Sequence, residues 1–116
     1  MTDTNIVILT GRATRDAECK YTSGGTAVAS FGLAVNRSWK KGDEWQEEVA
    51  FVDVTAWAKL AEQVCANVKK GARLSVVGRI KQDRWTDEGS GENRSRLGVV
   101  AESVAGLADW RREEQA

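Results

Sequence analysis

Apolar and polar residues alternate along most of the chain, which predicts β-strands because successive side chains on a strand point to opposite faces. The alternating runs cover residues 5–12 with a continuation towards Tyr21, and then 27–39, 45–57, 73–85 and 94–104. Glycine and polar residues separate several of them at 22–26, 41–44 and 87–93, and proline is absent. Strands of this length at hairpin spacing predict an antiparallel barrel or sandwich.

One segment, KLAEQVCANVKKG, has the period of a helix instead. Its apolar residues are Leu60, Ala61, Val64, Cys65 and Val68. This spacing is close to about 3.6 residues per turn and predicts an amphipathic helix of about three turns. Lys69 and Lys70 are expected in the last turn, beside the negative end of the helix dipole, and Gly71 is expected to end the helix.

The predicted order of elements is β-β-β-α-β-β, which indicates an all-β fold. Five strands with one α-helix between strands 3 and 4 are the layout of the OB-fold, a partly open Greek-key barrel whose face binds oligonucleotides or oligosaccharides. The barrel domain is expected to span residues 1–107. Residues 108–116 are expected to form a short, disordered polar tail.

Composition narrows the class of protein. A chain of 116 residues with 41% hydrophobic and 29% charged residues is expected to form one ordinary globular domain. No apolar run approaches the roughly 20 residues of a membrane span. The N-terminus, MTDTNIVILTGR, lacks the features of a signal peptide. These observations predict a cytoplasmic protein without a membrane partner.

Histidine is absent, and the only cysteines are Cys19 and Cys65. They are too few for the four or so ligands of a structural zinc site, and the usual histidine bases are missing. The carboxylates show no recognisable catalytic spacing. The sequence therefore predicts no enzyme activity, metal or cofactor. We interpret the cysteines as small core residues, because a disulfide, although permitted, is uncommon in a reducing cytosol.

Alternation separates a core face from a wet face in two of the runs. In the third run the core face holds Ala50, Val52, Val54 and Ala56, and the wet face includes Phe51, Asp53 and Trp57. In the fourth run the core face holds Leu74, Val76, Gly78 and Ile80, and the wet face includes Arg73, Arg79, Lys81, Asp83 and Trp85. Aromatic rings and cations thus share polar faces, and Arg84, Lys40 and Lys41 lie close by in sequence.

Rings interleaved with cations are typical of single-strand nucleic-acid binding, since bases stack on rings and cations contact phosphates. Net charge adds no support, because 17 Lys and Arg balance 17 Asp and Glu. Exposed rings also form cross-strand pairs or oligomer contacts without any ligand, and the roles of Trp45 and Trp110 stay open. In the second run, Arg37 and Trp39 fall on the core-facing set. Either the strand leaves the core there or a bulge shifts its phase.

Four segments resemble the bacterial single-stranded DNA-binding protein family of the replication type. They are NIVILTGRATRDAECKYTSGGTAVASFGLAVNRSW, VAFVDVTAWAKLAEQV, VKKGARLSVVGRIKQDRWTD and NRSRLGVVAESV, within residues 5–107. The resemblance implies an OB-fold subunit, usually of a homotetramer, that binds single-stranded DNA without sequence preference during replication, recombination and repair. It also implies a cytoplasmic, nucleoid-associated location.

The resemblance implies roles for particular residues. By position, Trp39, Phe51, Trp57 and Trp85 match the family's stacking aromatics, and Lys40, Lys59, Lys70, Lys81, Arg84 and Arg94 match basic contact positions. The wet-face pattern adds Lys41, Arg73 and Arg79 to the expected nucleic-acid interface. Asp53 and Asp83 stand where some members carry arginine, which implies a less basic groove.

The C-terminus departs from the family pattern. Members usually continue into a Gly/Pro/Gln-rich linker and an acidic tip that recruits replication and repair proteins, whereas this sequence ends at WRREEQA. Replication and repair proteins are therefore expected as partners only if they bind to a part of the protein other than such a tip. A second hypothesis for the whole chain is an OB-fold assembly module of a primosome type, in which the rings contact protein and nucleic-acid binding is secondary. The neutral net charge favours it slightly.

Overall fold

The structure is a computed structural model, and it describes residues 1–107. The predicted tail, including Trp110, lies outside the described residues. The elements are β1 Val7–Ala13, β2 Glu18–Tyr21, β3 Ala27–Lys41, β4 Glu44–Trp57, α1 Ala58–Asn67, β5 Arg73–Thr86 and β6 Asn93–Gly106. The predicted fold class is confirmed. The first predicted strand is broken into β1 and β2, so six segments build the five-stranded barrel.

The strands form one sheet in the order β1-β5-β6-β4-β3-β2, and a further pairing of β1 with β3 closes the barrel. The closing contact is short, since only Arg12 and Ala13 pair with β3, opposite Ala34 and Leu33. The core lies inside the closed wall. Its fully buried side chains include Phe31, Leu33, Val54, Val64, Val68 and Val76.

The long strands extend past the barrel as two hairpin arms. We call residues 36–49 of β3–β4 the first arm and residues 80–98 of β5–β6 the second arm. Ala50, next to the first arm, and Ile80, on the second arm, were both expected in the core. Both expectations are wrong, because Ala50 is exposed and Ile80 is 48% exposed. The barrel wall has ended there, so alternation continues without a core behind it.

The phase of the second predicted strand is settled by its pairing. β3 and β4 pair without a register shift from Val28 opposite Trp57 to Lys41 opposite Glu44. The strand therefore leaves the core before Arg37, and no bulge is present. The irregularity lies instead between β5 and β6, where Val77 pairs with Ser103 but Gly78 pairs with Ala101.

The helix is shorter than predicted. α1 ends at Asn67, and Val68 follows it in an extended conformation, with its N–H donating to the carbonyl of Val64. Lys69 and Lys70 therefore lie beyond the helix rather than in its last turn. Gly71 does have the left-handed φ of 88° expected of a stop signal. It forms a turn that leads to β5, where its N–H donates to the carbonyl of Ala13.

The two cysteines are joined in a disulfide, which corrects their interpretation as small core residues. β2 pairs with β3, and α1 packs against both strands. This arrangement brings Cys19 and Cys65 to a Cα–Cα distance of 6.0 Å although they are 46 residues apart in sequence. Cys19 is exposed and Cys65 is half-buried. The bond therefore fastens a four-residue edge strand to the helix.

Within residues 1–107, no helix has both the length and the apolar character needed to cross a membrane.

Candidate nucleic-acid interface

The outward side chains of β3 and β4 form one continuous surface, which we call the outer face. Its members within the barrel are Val28, Ser30, Gly32 and Ala34 on β3 and Phe51, Asp53, Thr55 and Trp57 on β4. Residues directly opposite each other on paired strands share a face. The register therefore extends the outer face sideways in rows onto the neighbouring strands.

Cations lie in the rows that contain the aromatic rings. Lys20 pairs with Val28, which pairs with Trp57. Arg12 pairs with Ala34, which pairs with Phe51. Neither cation was identified from the sequence. Because strands are about 4.8 Å apart, the backbone of each cationic residue lies roughly 10 Å from the backbone of the aromatic residue in its row. That spacing suits a base on the ring and a phosphate on the cation.

A row of small and polar residues runs between the rings and continues to β5. Ser30 pairs with Thr55, Thr55 with Val100, and Val100 with Arg79. Lys81 pairs with Gly98, which lies directly against Asp53 because a Cβ atom on Gly98 would lie 3.3 Å from the Asp53 carbonyl oxygen. The predicted cations Arg79 and Lys81 are thus brought to the outer face.

Trp57 ends β4 at the mouth of a cavity of about 240 Å³. This cavity is lined by Thr55, Trp57, Lys81, Asp83, Gly98, Val99 and Val100. Ala58 follows with a left-handed φ of 56°, and this sharp turn directs the chain into α1. Trp57 is 42% exposed, and Phe51, six positions before it on β4, is 75% exposed.

Trp85 lies on the second arm, opposite Arg94, and is 46% exposed. It borders a cavity of about 590 Å³ that is lined by Gln82, Arg84, Trp85, Thr86, Asn93, Arg94 and Ser95. Arg84 donates to the Gln82 side chain at 3.0 Å, and Arg94 donates to Asp87 at 3.0 Å. The predicted residues Trp85 and Arg94 therefore share one side of the second arm, whereas Arg84, opposite Ser95, lies on the other side with Gln82.

Carboxylates accompany most of the cations on β5 and β6. The pairs are Arg79–Glu102 at 3.8 Å, Lys81–Asp83 at 3.8 Å, Arg94–Asp87 at 3.0 Å, Arg94–Glu92 at 3.7 Å and Arg96–Asp53 at 3.6 Å. Arg96 was not identified from the sequence either. The pairs are largely exposed, so each is worth little, on the order of 0–1 kcal/mol. A phosphate can displace such a partner.

The first arm carries its two tryptophans on opposite sides. Trp39 pairs with Gln46, and the Arg37 guanidinium lies 4.8 Å from the centre of its ring. Arg37 is itself paired with Glu48 at 3.3 Å. Trp45, Glu47, Val49 and Phe51 are alternate residues of β4, so Trp45 is on the side of Phe51. The structure therefore does not bring Trp39 onto the outer face with the other three rings.

The remaining predicted cations are dispersed. Lys41 lies on the Trp39 side of the first arm, and Lys59 is exposed in the first turn of α1. Lys70 follows the helix, with its backbone N–H donating to Asp16 at 2.8 Å. Arg73 pairs with Arg12 at the start of β5, and its buried Nε has no hydrogen-bond partner within residues 1–107. Arg73 therefore continues the row of Phe51, Ala34 and Arg12 by one more strand.

Within the described part of the chain, no three Cys, Asp or Glu residues are grouped so that they could hold a metal ion.

Comparisons with known proteins agree with this architecture. The model of the "Single-strand binding protein family" matches residues 4–107. The chain belongs to that family. The single-stranded DNA-binding protein of Treponema pallidum is 44% identical over 104 residues, which are 90% of this chain and 58% of the relative. That of Wolinella succinogenes is 45% identical over 101 residues, 86% of this chain and 62% of the relative.

The family's fold is also seen in a solved structure described as a Plasmodium falciparum SSB complex with ssDNA. It matches with a TM-score of 0.82 and 19% identity, over 92% of this chain and 97% of that one. The resemblance inferred from the sequence is therefore confirmed. The chain spans about three fifths of the length of the Treponema and Wolinella relatives. The family and these relatives are named for binding rather than for a reaction, which agrees with the expectation of no enzyme activity.

Proposed function

We propose that the chain binds single-stranded DNA on the outer face, without sequence preference, and protects it during replication, recombination and repair. The observation that carries the proposal is the sharing of rows or cavities by exposed rings and cations: Phe51 with Arg12, Trp57 with Lys20 and Lys81, and Trp85 with Arg94. The names of the relatives support the same ligand. A cytoplasmic, nucleoid-associated location follows from this ligand.

Base stacking suits the geometry because every base has a flat face. An exposed ring that accepts a base contributes roughly 1–3 kcal/mol, with little dependence on base identity. Phe51, Trp57 and Trp85 are each more than 40% exposed before any ligand arrives. The small residues Ser30, Thr55 and Gly98 between them leave the backbone of a single strand free to pass.

A fluorescence titration tests this proposal against a primosome-type assembly module. Four tryptophans lie in the described residues, and two of them, Trp57 and Trp85, are proposed platforms. Adding oligo(dT) is expected to quench the intrinsic fluorescence strongly, because stacked bases quench indole emission. Unchanged fluorescence, together with no shift in the anisotropy of a labelled oligomer, would favour the assembly module.

The chain is further proposed to form homotetramers. Ile6 and Ile8 are 68% and 70% exposed, although they belong to an apolar run. β1 pairs with β5 along residues 7–12 but with β3 only at residues 12 and 13, so much of one strand edge is left open. Open edges with exposed apolar side chains favour a symmetric partner.

Light scattering at micromolar concentration is expected to give a mass near four times 12.7 kDa. Ile8→Glu is expected to lower that mass, because it places a charge on the surface that the partner would cover. Leu97→Glu is the control, since Leu97 is a 63% exposed aliphatic residue on the second arm, opposite Gln82. A parent mass near 12.7 kDa would rule the oligomer out.

The affinity is expected to depend only weakly on salt. Phosphate binding to a single strand releases counterions, with a log–log slope of roughly −0.7 per contact. Here the Asp53 carboxylate beside Arg96 offsets the charge of the arginine, so a phosphate on Arg96 releases fewer of its condensed cations. Asp53→Asn frees Arg96 and is expected to steepen the slope by about 0.7. Asp53→Arg adds a second contact, so it should steepen the slope further and tighten binding at low salt.

Titrations of the parent and both variants between low and moderate salt measure these slopes. Weaker binding by Asp53→Asn and Asp53→Arg at every salt concentration would mean that the carboxylate positions Arg96 for binding. In that case Asp53 would not be a partner that a phosphate displaces.

A further inference from the structure

The tip of the first arm carries an exposed ring beside a cation. Trp45 is 68% exposed and lies directly opposite Lys40 across the hairpin. The turn between the two strands is Gly42–Asp43, and Gly42 has the left-handed φ of 62° that such a tight hairpin turn requires. The tight turn holds Trp45 and Lys40 on one side of the arm.

Alternation places this pair on the same side of the sheet as the outer face. Trp45, Glu47, Val49 and Phe51 are successive outward positions along β4, and no register shift interrupts them. Phe51 is six positions after Trp45 on the strand, which is a distance of about 20 Å. A single strand that leaves the barrel over Phe51 and follows the arm would therefore meet Trp45 next.

The two tryptophans of the arm differ in what surrounds them. Arg37 covers Trp39 and is held by Glu48. Within residues 1–107, no other cation stacks on a ring, so neither side of the Trp45 indole is covered in this way. Lys40 also has no carboxylate within 4.0 Å among the described residues, unlike Arg79, Lys81 and Arg94.

We propose that Trp45 and Lys40 form an additional nucleotide position at the tip of the first arm. The indole of Trp45 stacks on a base, and the Lys40 ammonium contacts an adjoining phosphate. The proposal rests on the proposed function, because it extends the path of the same single strand. Glu47 is the one carboxylate between Trp45 and Phe51 on this side, and it lies opposite Ser38 rather than Lys40.

Anisotropy of labelled oligo(dT) tests the proposal without relying on tryptophan emission. A series of oligomer lengths is used. It starts at the shortest length at which Trp57→Ala weakens binding and extends to several times that length. For Trp45→Ala, the loss of affinity is expected to be absent at the shortest length and to reach about fivefold to 100-fold for longer oligomers. Trp45→Phe should retain most of the affinity that Trp45→Ala loses. Lys40→Gln should weaken the binding of long oligomers and reduce the salt dependence of that binding.

The matched control is Tyr21→Ala, which removes another exposed ring. Tyr21 is 70% exposed but pairs with the buried Ala27, so its side chain does not share the outer face. Its loss is expected to leave binding unchanged at every length.

Three results would overturn the proposal. Parent-like binding by Trp45→Ala at all lengths, with Trp57→Ala still weakened, would remove the arm position and leave the proposed function intact. A change in the mass of Trp45→Ala by light scattering would assign the ring to a protein contact. No binding of oligo(dT) by the parent would refute the proposed function itself, and the arm position with it.

Discussion

Loss of the Cys19–Cys65 disulfide is expected to lower the free energy of unfolding by about 4 kcal/mol. A crosslink restricts the unfolded chain, and its chain-entropy contribution grows with the logarithm of the loop length, which here corresponds to a sequence separation of 46 residues. The folded state has little else to hold β2, since its four residues are all exposed and pair only with β3. Urea unfolding of Cys19→Ser/Cys65→Ser, compared with the parent, measures the difference.

Reductant supplies the control for that comparison. It should shift the unfolding midpoint of the parent to that of the double variant, and it should leave the variant unchanged. Lys20, the cation in the row of Trp57, lies next to Cys19 on β2. Weaker DNA binding is therefore also expected when β2 is loosened. Equal midpoints for the oxidised parent and the variant would mean that the crosslink does not contribute to stability.

Removal of two stacking platforms is expected to have the largest effect on binding. Trp57 and Trp85 border different cavities on different strands, so the effects of Trp57→Ala and Trp85→Ala should be nearly additive. At roughly 1–3 kcal/mol for each ring, the double variant should lose about 30-fold to more than 10,000-fold in affinity for oligo(dT). Anisotropy of a labelled oligomer measures the single and double variants.

Thermal unfolding controls for damage to the fold. Both rings are more than 40% exposed, so the melting temperature of each variant should stay close to that of the parent. A double variant that folds normally and binds like the parent would show that neither ring is a platform. Losses that are far from additive would place both rings in one coupled site.

Much of the fold is predictable from the sequence, because alternation and turn residues act locally. β3, β4, β5 and β6 all begin and end within two residues of the predicted bounds. Alternation fails where a strand outlasts the barrel. Ala50 and Ile80 continue an apolar set, but the sequence does not reveal where the core behind them stops.

The disulfide and the missed cations share one physical cause. Cys19 meets Cys65 only because β2 pairs with β3 and α1 packs against both strands. Arg12 and Lys20 reach the rows of Phe51 and Trp57 only through the register of β3. Each contact joins distant parts of the chain. Local pattern identifies which face a ring occupies, but not which cation lies across the sheet from it.

Photocrosslinking tests most directly whether a single strand lies on the outer face. Oligo(dT) with single 5-iodouracil substitutions is bound to the oxidised parent, and the complex is irradiated. Mass spectrometry then identifies the peptides attached to the oligomer. Crosslinks are expected to Phe51, Trp57 and Trp85, with Trp45 added for longer oligomers. Crosslinks confined to Tyr21 or to the Trp39 side of the first arm, with none on the outer face, would contradict this expectation.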